Sequence, residues 1–151
     1  MNNCWPGFFL VALSALSAIL YGVEYSNPFT ISFSVLAYLY WTFLVLQIHL
    51  RMRKIDNSYP FDPGDSMLGS LIPFVYIFWN AFWVSEIFKW FGQTKSKALA
   101  YGSIVAALSL IAYPDNLDRI PGSMNLIALC GLFGTIAIIE RKVKSRGQSQ
   151  S

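Results

Sequence analysis

The run from Phe29 to Leu50 contains 22 residues without a single formal charge. A helix rises about 1.5 Å per residue, so a run of this length crosses a hydrocarbon core about 30 Å thick. Lipid offers no hydrogen-bond partners, and a segment within it therefore has to pair its own backbone groups as a helix. The run predicts a membrane-spanning helix, which the basic residues Arg51, Arg53 and Lys54 close.

The composition of the whole chain also indicates that lipid surrounds much of the protein. Hydrophobic residues make up 55% of the sequence and charged residues 13%, whereas soluble domains carry about 25% charged residues. Further apolar stretches occupy residues 7–23, 67–91, 98–113 and 123–139. We therefore expect an all-α integral membrane bundle, with a single membrane domain over residues 1–140 and a basic, disordered tail over 141–151.

The stretch over residues 67–91 differs from the other four. It is loaded with aromatic residues, and Pro73 interrupts it. Trp and Tyr concentrate at the headgroup level of a bilayer, and proline removes a helical N–H donor. These features predict an interfacial or re-entrant segment broken at Pro73. The alternative is an ordinary fifth span that is kinked there.

The connector before this stretch, residues 55–66, reads IDNSYPFDPGDS. Its prolines and glycine predict irregular backbone. Asp65 or Ser66 is placed to cap the helix that follows, because either side chain offers an oxygen to free N–H groups.

The basic residues discriminate between the two arrangements of the chain, because Lys and Arg favour cytoplasmic loops. If all five stretches cross, the better orientation leaves seven basic residues inside and four outside. If the third stretch returns to the face it left, ten lie inside and only Arg119 lies outside. We therefore predict four crossing helices, with both termini cytoplasmic, in a bacterial inner membrane or a thylakoid.

Few side chains offer chemistry. His49 is the only histidine of the sequence. It is either a ligand to the iron of haem or the magnesium of chlorophyll, or an interfacial polar residue. Asn80, Ser85 and Glu86 lie in the aromatic stretch and would line a polar cavity if the protein were a small transporter or channel component. The sequence has no recognisable nucleophile–base motif and no metal-ligand spacing. It therefore predicts neither catalysis, nor a metal, nor an obligatory cofactor.

The leading hypothesis is a non-catalytic accessory, assembly or scaffold subunit. Its expected partners are membrane lipids and a larger membrane complex or further copies of the chain. No basic patch with interleaved aromatic residues indicates nucleic-acid binding. The residues expected to contact lipid or a partner are Trp79, Trp83, Trp90, Arg51, Arg53, Lys54 and Lys89.

The central third of the chain, between Gln47 and Phe91, resembles a family of small bacterial membrane proteins, including cyanobacterial ones. The residues that carry the resemblance are His49, Tyr59, Pro60, Pro63, Ile72, Pro73, Phe74, Trp79, Trp83 and Glu86. The chain departs from the pattern at Tyr76, where the family favours Asn. The resemblance implies a membrane fold and no particular reaction.

Reporter domains inserted within residues 55–66 and within residues 92–97 are expected to report the same compartment, because a re-entrant segment returns to the face it left. A reporter within residues 114–121 is the control and is expected on the opposite side. Compartment-specific enzyme activity provides the measurement. Signals from opposite compartments for the first two insertions would contradict the four-span arrangement.

Overall fold

The fold was analysed in a computed structural model, which describes residues 4–21, 28–57, 59–72, 75–113 and 122–148. Within these residues the chain forms helices and no strand, so the predicted all-α class is confirmed. The six helices are α1 (Trp5–Tyr21), α2 (Pro28–Ile55), α3 (Pro63–Gly69), α4 (Val75–Trp90), α5 (Lys95–Ala112) and α6 (Gly122–Gln148).

The short helix α3 begins earlier than the sequence predicts, and its N-cap is Asp62 rather than Asp65 or Ser66. An Asp62 carboxylate oxygen accepts the backbone N–H of Gly64 at 2.8 Å and that of Asp65 at 3.4 Å. Pro63 occupies the first turn, where its missing N–H has no helical partner to lose. The connector's second proline therefore starts a helix instead of preventing one.

A glycine ends α4 and reverses the chain. Gly92 adopts a φ of 80°, which a residue with a Cβ rarely adopts. Its N–H donates to the carbonyl of Lys89 at 2.8 Å, and the N–H of Gln93 donates to the carbonyl of Phe88 at 3.0 Å. This pair of bonds is a Schellman motif, which satisfies the last carbonyls of α4 and leads the chain into α5.

One end of the bundle gathers the ends of several helices, and we call it the basic end. The Cys4 thiol, which precedes α1, lies 4.0 Å from a Glu140 carboxylate oxygen on α6. Glu140 also pairs with Arg51, near the end of α2. The indole N–H of Trp90 donates to Asp56 at 3.0 Å, which joins the end of α4 to the end of α2.

The segment between α2 and α5 leaves the basic end and comes back to it. The Tyr38 hydroxyl donates to the carbonyl of Ser70 at 3.0 Å, directly after α3. Tyr38 precedes the end of α2 by 17 residues, or about 25 Å along the helix axis. The chain thus runs about 25 Å into the bundle before α4 returns it to Asp56. Pro73, where the break is predicted, lies outside the described residues.

The tail prediction is wrong up to Gln148, because α6 continues through the basic residues after Ile139. The reason is a buried stripe that does not stop at the end of the apolar run. Ile136, Ile139, Glu140 and Val143 are all buried, at spacings of three and four residues. Val143 therefore holds a further turn against the bundle, and of the predicted tail only residues 149–151 lie outside the described part of the chain.

The helices are apolar on both their inner and their outer faces. The interior is filled by large side chains, including Trp41, Trp83, Phe88 and Phe133. Phe9, Ile19, Phe78 and Ile127 point outward and are 64–77% exposed. Two described helices, α2 and α5, are long and apolar enough to cross a membrane. Only 39% and 28% of their most apolar stretches are buried, so protein alone does not cover them.

The tightest helix contact is the one between α4 and α5, and it depends on Gly102. A Cβ added at Gly102 would overlap the Ser85 hydroxyl oxygen and the Ala81 carbonyl oxygen. The glycine therefore lets the two backbones approach closely, as small residues do in membrane helices.

Gly102→Ala is expected to destabilise the protein by about 1–3 kcal/mol, because the added methyl group meets backbone that cannot move aside cheaply. Thermal unfolding in a mild detergent measures the effect. Gly134→Ala is the matched control, since a Cβ at Gly134 meets nothing within 4 Å. The control should leave the melting temperature unchanged or raise it. Equal melting temperatures for the two variants would contradict this account of the contact.

Candidate functional site

The most connected polar side chain of the interior is Asn80, which is fully buried on α4. Its Oδ1 accepts from the Ser70 hydroxyl at 2.8 Å and from the indole N–H of Trp83 at 2.9 Å. Its Nδ2 donates to the Ser109 hydroxyl on α5 at 3.0 Å. One amide thus joins the end of α3 to α4 and α5, and each of its bonds is worth more in an apolar interior than in water.

The three residues predicted to line a polar cavity do not converge on one. Asn80 is engaged as described, and the Ser85 hydroxyl donates back to the carbonyl of Ala81 at 2.7 Å. Glu86 is partly exposed and pairs with Lys89 one turn along the same helix. The cavity lining therefore stays a prediction. Of these three residues, Asn80 joins α4 to its neighbours, whereas Ser85 and Glu86 are engaged within α4 itself.

His49 lies on α2 with none of its surface exposed. Its Nδ1 and the hydroxyl oxygen of Tyr59 are 2.6 Å apart. The rings of Tyr59, Phe61 and Trp83 surround it, with centroids 5.2–5.7 Å from the imidazole centroid. We call these four residues the His49 box. Tyr59 and Phe61 come from the connector, so irregular backbone closes the box over α2.

The other imidazole nitrogen of His49, Nε2, has no hydrogen-bond partner among the residues that the structure describes. A buried polar nitrogen without a partner costs about 1–3 kcal/mol. If the Tyr59 hydroxyl oxygen accepts a hydrogen bond from Nδ1–H, the lone pair lies on Nε2, which is the arrangement of a metal-ligating histidine. If Tyr59 donates instead, Nε2 carries an unpaired N–H. Burial raises the pKa of the Tyr59 phenol, which keeps that hydroxyl protonated near neutral pH.

Trp83 is predicted to contact lipid or a partner, and the structure contradicts this. It is fully buried as a wall of the His49 box and a donor to Asn80. The apolar pattern of α4 could not identify its inner face, because residues on both faces are aromatic. Trp79 and Trp90 are half-buried, and their indole N–H groups donate to the Ser66 carbonyl and to Asp56.

Three of the four predicted cationic contacts are occupied by acids of the same chain. Arg51 pairs with Glu140, Arg53 with Asp62 at 3.0 Å, and Lys89 with Glu86. The Asp62 carboxyl has a lowered pKa, chiefly because it accepts the backbone N–H of Gly64. Lys54 is exposed, and no carboxylate of the described residues pairs with it.

Sequence reasoning missed a second group of cations at the basic end. Residues 91–97 and 141–148 contain no acid, and Lys95, Lys97, Arg141 and Lys144 are exposed there. The Lys142 ammonium lies 5.8 Å from the centre of the Phe91 ring, which brings the end of α6 to the α4–α5 turn. The absence of acids in both segments is the signal that could have identified this group.

The thiol of Cys4 belongs to the ion pair that joins α2 and α6. Burial and the neighbouring Glu140 carboxylate together raise the pKa of the thiol to about 11, with Arg51 opposing them. The thiol therefore stays protonated and unreactive near neutral pH. It donates to Glu140 and completes a buried polar contact at the start of α1.

Comparison of the chain with models of protein families, with curated proteins and with solved structures found no match. The resemblance to bacterial membrane proteins therefore stays a prediction. Within the described residues, no group of three or more His, Cys, Asp or Glu residues is arranged to hold a metal ion. The arrangement offers two features of interest, the His49 box and the unpaired cations.

Asn80→Ala is expected to destabilise the protein by about 3 kcal/mol, because Ser70, Trp83 and Ser109 lose a partner in an apolar interior. Ser85→Ala is the control on the same helix, since its hydroxyl only bonds back to the preceding turn, and its cost should stay below about 1 kcal/mol. Thermal unfolding in detergent compares the two. A smaller loss for Asn80→Ala than for Ser85→Ala would refute the joining role of the amide.

Proposed function

We propose that the chain is an integral membrane protein in which α1, α2, α5 and α6 cross the bilayer while residues 56–90 re-enter from one face. The bond between Trp90 and Asp56 carries the proposal, because it holds the ends of α2 and α4 together. A third crossing would separate these two ends by the thickness of the bilayer. The incompletely buried apolar stretches of α2 and α5 support the same placement.

The charge distribution supports an orientation with the basic end in the cytoplasm. The segments at this end, residues 51–65, 86–97 and 140–148, carry ten basic and five acidic residues, a net charge of +5. The rest of the chain carries one basic and three acidic residues, a net charge of −2. Lys and Arg near membrane helices favour the cytoplasmic side, so both termini are cytoplasmic in this arrangement.

Within this arrangement, the protein acts as a non-catalytic accessory, assembly or scaffold subunit. The polar groups of the re-entrant segment support this, because they are used to fix α3 and α4 against their neighbours. The same segment presents an outward apolar face, formed by Val75, Phe78 and Phe82 at helical spacing. A rigid aromatic face on a short, braced helix is suited to packing against another membrane subunit.

A second candidate function is the binding of haem or chlorophyll through His49. The unpartnered Nε2 favours it, since the Tyr59 contact at Nδ1 is the kind of bond that orients a ligating histidine. The aromatic rings of the His49 box already surround this nitrogen. A macrocycle would therefore have to displace Phe61 and its stretch of connector.

Purification of the tagged full-length chain from its membranes in a mild detergent tests these proposals. The first expects that the chain resists extraction by alkaline carbonate and brings along a stoichiometric subunit. That subunit should be lost from the double variant Phe78→Ala, Phe82→Ala and kept by Ile127→Ala, which alters an exposed apolar residue of α6. The second expects a visible absorption band that disappears in His49→Ala.

A different experimental result would contradict each part of the proposal. Release of the wild-type chain by carbonate would refute membrane insertion. Retention of the subunit by the Phe78, Phe82 variant would remove the role assigned to the face of α4. A colourless wild-type preparation would eliminate the pigment candidate.

A further inference from the structure

The helices α5 and α6 pack antiparallel, and two contacts fix their register. A Cβ at Gly131 would lie 2.8 Å from a methyl carbon of Leu108, and the Asn125 amide donates to the carbonyl of Ile111 at 3.2 Å. The two residue numbers of each contacting pair thus add up to nearly the same value, as they do along any antiparallel pair of helices. Continued by about ten residues toward the basic end, this register brings residues 95–97 level with residues 141–144.

Five cations meet at that level, and we call them the α5–α6 basic patch: Lys95, Lys97, Arg141, Lys142 and Lys144. The contact between Lys142 and the Phe91 ring supports their proximity. The two acids on α4 and α6 that lie nearest the patch are engaged elsewhere, since Glu140 pairs with Arg51 and Glu86 with Lys89. Like charges within about 8 Å repel one another at physiological salt, so the patch favours any anion that can lie between them.

The surface next to the patch is apolar. On α5, Leu99 and Ile104 are 49% and 54% exposed, and on α6, Ile138 is 49% exposed. They lie one to three turns from the cations, toward the middle of the bundle. A ligand that fits both parts has an anionic group at one end and hydrocarbon chains at the other.

We propose that the α5–α6 basic patch binds the headgroup of an anionic phospholipid, whose acyl chains lie along the exposed faces of α5 and α6. This inference rests on the membrane placement proposed above. The phosphodiester oxygens would accept from the lysine ammonium groups and the Arg141 guanidinium, which are charge-assisted bonds. The apolar band distinguishes this ligand from a soluble phosphate or a nucleic acid, because neither of these would cover it.

The site differs from the cations that the sequence suggested. Arg51, Arg53 and Lys89 already have carboxylate partners, so a lipid phosphate would have to compete with them. Lys54 is the one suggested cation without a carboxylate partner among the described residues, so the end of α2 offers a single free cation. The cations of the patch have no such competitor among the described residues. Lipid selectivity therefore resides at the α5–α6 junction and not at the end of α2.

The test uses the full-length protein in mixed micelles that contain equal amounts of phosphatidylglycerol and phosphatidylcholine with the same acyl chains. Mass spectrometry measures the ratio of the two lipids retained after washing. A basic residue near an anionic surface changes binding about fivefold, so the double variant Lys95→Gln, Lys97→Gln should lower the ratio by about 25-fold. The matched control is Arg53→Gln, Lys54→Gln, which removes the same charge from the same end and should change the ratio less than threefold.

Selective retention of phosphatidylglycerol that is lost in the Lys95, Lys97 variant and kept in the control supports the site. Equal losses of phosphatidylglycerol in both variants would show that the effect depends on net charge alone, and this would overturn the proposed site. Displacement of the lipid by millimolar inorganic phosphate would overturn it in favour of a soluble anion. A carbonate-resistant chain that shows no preference between the lipids would overturn this inference while leaving the membrane placement intact.

Discussion

The structure depends on how it satisfies backbone groups at a break deep inside an apolar bundle. Helix α3 ends at Gly69, about 25 Å from the basic end, and the carbonyls that follow have no partner in a continuing helix. The Tyr38 hydroxyl donates to the Ser70 carbonyl, and the Tyr113 hydroxyl donates to that of Leu71 at 3.0 Å. Irregular backbone at such depth is tolerated only where protein groups replace water in this way.

The two tyrosines and Asn80 together hold the chain where it turns back between α3 and α4. Tyr113 stacks on Tyr76 at 4.0 Å between ring centroids and meets Tyr38 edge-on at 5.5 Å. Three helices thus contribute aromatic rings around the turn, while Asn80 binds the Ser70 side chain from α4. The turn is held from α2, α4 and α5 simultaneously. Asn80, one of the residues predicted to line a cavity, thus serves as a structural tie.

The return of α4 to the basic end also decides where the free cations lie. Because α4 ends beside Asp56, the short turn at Gly92 starts α5 at the same end, and α6 arrives there antiparallel to it. Acids on α4 and α6 turn toward Lys89 and Arg51, which leaves the α5–α6 junction with positive charge alone. The proposed lipid site therefore follows from the return of α4 to the end of α2 and from the ion pairs that the acids on α4 and α6 form.

Much of the architecture was open to prediction, and the errors have identifiable causes. Apolar runs located the five longer helices, because the transfer of a side chain to an apolar environment is a local property, but they did not locate α3, most of which lies in the polar connector. The start of α3 and the length of α6 were misjudged, since a proline at a first turn and a single buried Val143 reverse the local expectation. The burial of Trp83 was also missed, because a helix that is apolar all round does not indicate which face meets protein.

By itself, the sequence determined the helical class, the approximate positions of the five longer helices, and the grouping of ten of the eleven basic residues near the ends of the second and third apolar stretches and in the tail. Only the tertiary structure decided that Asp56 meets Trp90, that Asn80 ties three helices, and which cations keep their charge unpaired. These contacts join residues far apart in the chain, such as Cys4 and Glu140, 136 positions apart. Composition and spacing indicate whether each residue favours an apolar or a polar environment. The residue that it contacts there depends on which helix faces pack together.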